Sequence, residues 1–177
     1  MKKVDSMKTN WKALIISILI PLAVGTVSGL LTMGGMEQFQ TLEKPPLAPP
    51  AWLFPIVWTI LYTLMGISSY LIYTAECLKG NAKVKNTNVT CDAEQKKKAL
   101  NLYGYQLVVN FLWPVFFFNF GWYGFSYLWL LLLWGLVAVM IWEFNKISRT
   151  AALLNIPYLV WLSIAAYLNL SIWILNR

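Results

Sequence analysis

The sequence predicts an all-α integral membrane protein, a bundle of five transmembrane helices forming one domain over 1–177. Three observations carry this. Hydrophobic residues make up 59% and charged ones only 12%, whereas a soluble domain holds near a quarter charged residues. Five apolar stretches each approach the roughly 20 residues a helix needs to cross a bilayer. A backbone in lipid must satisfy its own hydrogen bonds, and nothing here alternates with the period-two pattern of a membrane barrel, so each stretch is helical.

The first span is expected at 12–33, after the polar start MKKVDSMKTNWK. Its apolar run exceeds the roughly 7–15 residues of a signal peptide, so it is read as a retained helix. Gly25 and Gly29 form a close-packing motif within it, which serves contacts inside a bundle or a dimer. Residues 34–50 are expected as a loop holding Gly34, Gly35 and LEKPPLAPP. Proline runs stiffen a chain, so this loop is expected as an ordered lid on the outer face. The second span is placed at 51–75, followed by a lysine-rich polar hairpin at 76–98. The third and fourth spans, 99–119 and 122–142, are separated by turn-formers around Asn119, Gly121 and Gly124. The fifth is placed at 152–175.

Of the 14 lysines and arginines, all but Lys44 and Arg177 fall on the side of the first span's N-terminus. The positive-inside rule then puts the N-terminus in the cytoplasm and the C-terminus outside. The lysine content and clean spans point to a bacterial cytoplasmic membrane. Cations in short loops, rather than along a helix face, give no nucleic-acid footprint. Cys77 and Cys91 lie on the cytoplasmic side in this reading and are expected as free thiols. The Asn88-Val89-Thr90 sequon lies on the same side and is read as chance. The chain has no His, which removes histidine metal sites, and no metal is expected. The spans hold almost no ionisable side chain, and Glu143 and Lys146 lie at the end of the fourth. Ion-coupled pumping and acid–base hydrolysis are therefore disfavoured.

Aromatic and amide side chains remain, and they fall in stripes at helical spacing. Tyr103, Gln106, Asn110, Trp113 and Phe117 share one face of the third span. Phe54, Trp58, Tyr62, Met65 and Ser69 do so in the second, and Pro157, Trp161, Ala165 and Asn169 in the fifth. Any one stripe alone reads as helix packing. Three stripes beside a stiff lid read as a pocket with flat aromatic walls and a few polar groups, suited to a planar apolar ligand.

The segments LEKPPLAPPAWLFPIVWTILYTLMG (42–66), QLVVNFLWPVFFF (106–118) and IPYLVWLSIAAYLNLSIW (156–173) resemble the TspO/MBR proteins, also called tryptophan-rich sensory proteins or translocator proteins. The resemblance implies a five-helix bundle that commonly dimerises, with a cavity opening toward the first loop. It implies binding of porphyrins and haem-like tetrapyrroles, with no cofactor required. By motif position, Trp58, Asn110, Trp113, Trp161, Ala165 and Leu168 would line the pocket, with Phe54 and Phe125 also touching ligand. Tyr62, Gln106 and Phe117 join them from the stripes. Phe39, Leu42, Lys44, Pro45, Pro49 and Pro50 would form the lid. The expected partners are the lipid bilayer, a planar apolar small molecule and a second copy of the chain.

Some family members are described as degrading porphyrin in light, and Trp58 and Trp161 match the aromatic positions concerned. The family's Trp-Tyr pair before Lys-Pro is Gln38 and Phe39 here, so a hydrogen-donating phenol is missing at that place. Leu47 replaces a further Trp. Leu170 stands where the animal cholesterol motif needs Tyr. The leading expectation is thus a binding, sensing or transport protein for planar ligands. Light-dependent porphyrin breakdown and an assembly role through protein partners are the alternatives.

Overall fold

The computed structural model describes residues 10–46, 48–77 and 91–177. Its elements are α1 (Trp11–Gln40), α2 (Leu53–Thr74), α3 (Ala93–Pro114) with a π-helical continuation (Val115–Asn119), α4 (Tyr123–Ile147), α5 (Arg149–Leu153) and α6 (Ile156–Leu175). Five rods result, because the π segment prolongs α3 and α5 leads into α6. α1, α2, α4 and the α5–α6 rod are each long and apolar enough to cross a membrane. α3 is the polar rod, with three lysines at its start and Gln106 and Asn110 buried in its middle.

The helix ends follow local chemistry more than hydropathy. Asn10 caps α1, accepting from the Ala13 N–H at 3.2 Å. Asp92 caps α3, accepting from the Gln95 N–H at 2.6 Å. The third helix therefore starts six residues ahead of the apolar stretch at 99. α1 runs through Gln40, so residues 34–40 are helical and the lid is shorter than the expected 34–50 loop. The chain reverses between α3 and α4 at Gly121, whose φ of +64° favours glycine. Pro114 withdraws an N–H, and the backbone beyond it widens to a π turn closed by Phe120 N–H to Val115 O at 3.2 Å.

α1 lies against α2, α3 and the π segment, while α4 packs on α3, α5 and α6. The half of the bundle away from the lid is solid. Met65, Ile72, Leu133, Val137, Met140, Phe144 and Leu162 fill it. Buried Asn155 breaks the last rod between α5 and α6 and stitches it to α2, donating to Ser68 Oγ at 2.6 Å. Glu143 is also buried at this end, paired with Lys98 at 2.7 Å and Lys146 at 3.1 Å.

The cysteine expectation changes. Cys77 and Cys91 are bonded to each other rather than free. The end of α2 and the start of α3 hold their Cα atoms 5.0 Å apart, inside the disulfide window. That distance is set by helix packing, which the redox compartment does not determine. The glycine motif of α1 is used within the chain. A methyl at Gly25 would overlap the Tyr62 ring of α2, and Gly29 faces an internal cavity. The sequon at 88–90 and lysines 79, 83 and 85 lie outside the described residues.

Candidate functional site

The lid half of the bundle is hollow. A cavity of about 400 Å³ lies there, within the roughly 300–1,000 Å³ usual for small-molecule sites. Its walls come from α1, the lid, α2, the end of α3 with its π segment, and α6, while α4 supplies none. α4 acts as a buttress holding α3 and α6 in place.

Aromatic rings make the walls. Trp58 stacks on Tyr62 with ring centroids 5.3 Å apart. Phe54 meets Trp161 edge-on at 5.7 Å, joining α2 to α6. Trp113 stacks on Phe117 at 5.2 Å. The π turn lets consecutive Phe117 and Phe118 both reach the cavity, where Phe39 packs on them at 5.8 and 5.4 Å. These contacts are offset or edge-to-face, the arrangements that ring quadrupoles favour.

The polar groups of the wall are largely committed to one another. Tyr62 donates to Asn110 Oδ1 at 2.7 Å, and Asn110 Nδ2 donates to the Tyr158 hydroxyl at 2.7 Å. Tyr158 in turn donates to Gln106 Oε1 at 3.2 Å. With its amide oriented to suit both neighbours, Asn169 donates to the Tyr123 carbonyl at 2.8 Å and accepts from the Trp113 indole at 3.2 Å. Ser28 donates to the Phe111 carbonyl at 3.0 Å, tying α1 to α3. Such interhelical bonds are the polar glue of membrane bundles.

A clamp holds the lid. The Glu43 N–H donates to Asn176 Oδ1, and Asn176 Nδ2 donates to the Glu43 carbonyl, both at 3.0 Å. The first loop is thereby fixed to the end of α6. Lys44 follows at once and puts its Nζ 4.9 Å from the Phe39 ring centroid.

Of the residues expected in the pocket, Phe54, Trp58, Tyr62, Asn110, Trp113, Phe117, Trp161, Ala165 and Leu168 line the cavity. Gln106 does not. It is fully buried below the cavity, bonded to Tyr158 and Met65. Phe125 does not either. It is 44% exposed, in an outward ring cluster with Phe116, Trp122 and Trp129. Of the lid residues, Phe39, Lys44 and Pro49 line the cavity, whereas Leu42, Pro45 and Pro50 do not. Pro45 is buried behind the lid and Pro50 faces outward. Leu47 lies outside the described residues. The α1 wall was missed: Leu22, Gly25, Thr26, Ser28, Gly29 and Thr32. Its signal was present, since Gly25, Ser28, Gly29 and Thr32 recur at steps of three, one and three on one side of a helix.

Family comparison agrees with this architecture. The model of the TspO/MBR family matches residues 17–174, from the first turns of α1 to the end of α6. A translocator protein of Bos taurus is 33% identical over 168 residues, covering 94% of this chain and 92% of its own. The tryptophan-rich protein TspO of Chlorobaculum tepidum is 36% identical over 138 residues, 78% of each chain. A tryptophan-rich sensory protein of Cereibacter sphaeroides is 29% identical over 170 residues, 96% of this chain and 95% of its own. With the match running through all five rods and two such relatives above 30% identity, the chain belongs to the TspO/MBR family.

Proposed function

We propose that this membrane protein binds a porphyrin or similar planar apolar molecule in its lid-side cavity, as a sensor or carrier. One observation carries the reading. The cavity has aromatic walls from α2, α3 and α6, and its neutral polar groups are largely bonded within the protein. Such walls reward a flat apolar body through stacking and burial, at about 25 cal/mol per Å². A macrocycle would enter with its face against Trp58 and Trp161 and its edge at the lid.

The test is protoporphyrin titration of detergent-purified protein in the dark, followed by tryptophan quenching. Saturable quenching is expected, weakened about tenfold in Trp161→Ala by loss of roughly 1.4 kcal/mol of ring burial. Absence of saturable quenching, or equal affinity in both proteins, overturns the reading.

A second reading, light-dependent breakdown of the bound porphyrin, is favoured by Tyr62. Its phenol lines the cavity against Trp58, although position 39 is Phe. New absorbing products on illumination, lost in Tyr62→Phe, would support it; an unchanged porphyrin would count against it. The orientation with a cytoplasmic N-terminus is supported by Lys12, Lys96, Lys97, Lys98, Lys146 and Arg149 on that side. The Cys77–Cys91 bond on the same side weighs the other way, since disulfides persist in oxidising compartments.

A further inference from the structure

We propose that Lys44 selects ligands bearing an anionic group, so that the cavity takes a flat apolar body with a carboxylate on its rim. This rests on the planar-ligand reading above and narrows it. Among the described residues, Lys44 is the one charged residue lining the cavity. Its backbone is set by the neighbouring Glu43–Asn176 clamp, which fixes it at the mouth. Its ammonium lies over the Phe39 ring, a weak partner for an exposed cation. Among the described residues, the ion pairs all belong to Glu143 at the far end of the bundle.

The rest of the wall gives an anion little reason to go deeper. Tyr62, Asn110, Ser28 and Asn169 all donate to acceptors of the protein itself. A carboxylate taken deeper would exchange its hydration for at most neutral donors, such as the Trp58 and Trp161 indole N–H groups, and would meet no cation among the described lining residues. At the mouth it would meet an ammonium beside a low-dielectric cavity, where attraction between opposite charges is strengthened. The ligand is thereby oriented with its apolar edge inward and its acid edge at the lid.

The experiment compares protoporphyrin with its dimethyl ester, in the dark and in one detergent, for wild type, Lys44→Met and Lys44→Arg. The free acid is expected to bind wild type about fivefold more tightly than the ester, the upper range for a partly exposed ion pair. Lys44→Met should erase that gap by weakening the acid alone, and Lys44→Arg should keep it. Unaltered ester affinity in Lys44→Met shows that the fold and cavity are intact. Equal binding of acid and ester by wild type overturns the inference and leaves the cavity reading standing. So does a gap that survives in Lys44→Met, or an equal loss of both ligands, which would make Lys44 a lid contact only. Failure of both forms to quench saturably in wild type removes the cavity reading itself, and the inference with it.

Discussion

Replacing Asn110 with Ala removes two buried bonds of 2.7 Å, one from Tyr62 and one to Tyr158. The two hydroxyls are left in different states. Tyr158 still donates to Gln106 at 3.2 Å. Tyr62 loses the acceptor of its hydroxyl, while 8% exposed at the cavity wall. An unsatisfied buried donor costs about 1–3 kcal/mol, and bonds between membrane helices average about 0.6 with a maximum near 1.7 kcal/mol. A total near 2 kcal/mol follows. At about 2–4 °C per kcal/mol for a chain of this size, thermal unfolding in detergent should fall by about 4–8 °C. Tyr62→Phe alone removes the orphaned hydroxyl and should cost about 1 kcal/mol. In that background Asn110→Ala should cost less, with a coupling of about 1 kcal/mol in the double-mutant cycle. Strictly additive costs, or an Asn110→Ala protein that melts with wild type, would refute the view that this chain of bonds holds α2, α3 and α6 together.

Further outcomes are expected at two glycines and at the two cysteines. Gly66→Val should prevent folding, because its Cβ would come within 2.5 Å of Ile18 Cα and 2.7 Å of the Ser17 carbonyl in α1. Gly29→Ala meets nothing within 4 Å and enters the cavity, so it should keep stability while weakening ligand binding. Size-exclusion profiles and melting curves separate the two, and a well-folded Gly66→Val would show that the α1–α2 contact is wrong. Cys77 and Cys91 should accept two maleimide labels per chain only after reduction. Reduction should also lower stability by about 3 kcal/mol, the loop-closure value for a cross-link of this span. Labels on untreated protein would mean that the pair is open. Membrane-impermeant reductant applied to each face reports which side the bond occupies and so decides the orientation.

The rods were legible because length and hydropathy belong to each helix separately. Their ends were not. Asp92 and Asn10 start helices by capping, and α3 begins in the polar flank where an apolar window sees nothing. The stripes of α2, α3 and α6 were found because helical periodicity marks a face, and nine residues of those stripes do line the cavity. Gln106 shares its face with Asn110 and Trp113, yet lies below the cavity, where the bundle is solid. Periodicity gives direction around a helix and nothing about depth. Phe125 occupies a matching motif position, but its helix turns it toward the outer ring cluster.

Sequence by itself thus determined that the chain is a five-helix membrane protein of aromatic faces under a proline lid. Tertiary structure alone decided how deep each stripe lies, that α4 supplies no wall, and that the two cysteines meet. A helix carries its own hydropathy and period, whereas a cavity is the space left between neighbours, and their separations are fixed only when the helices pack.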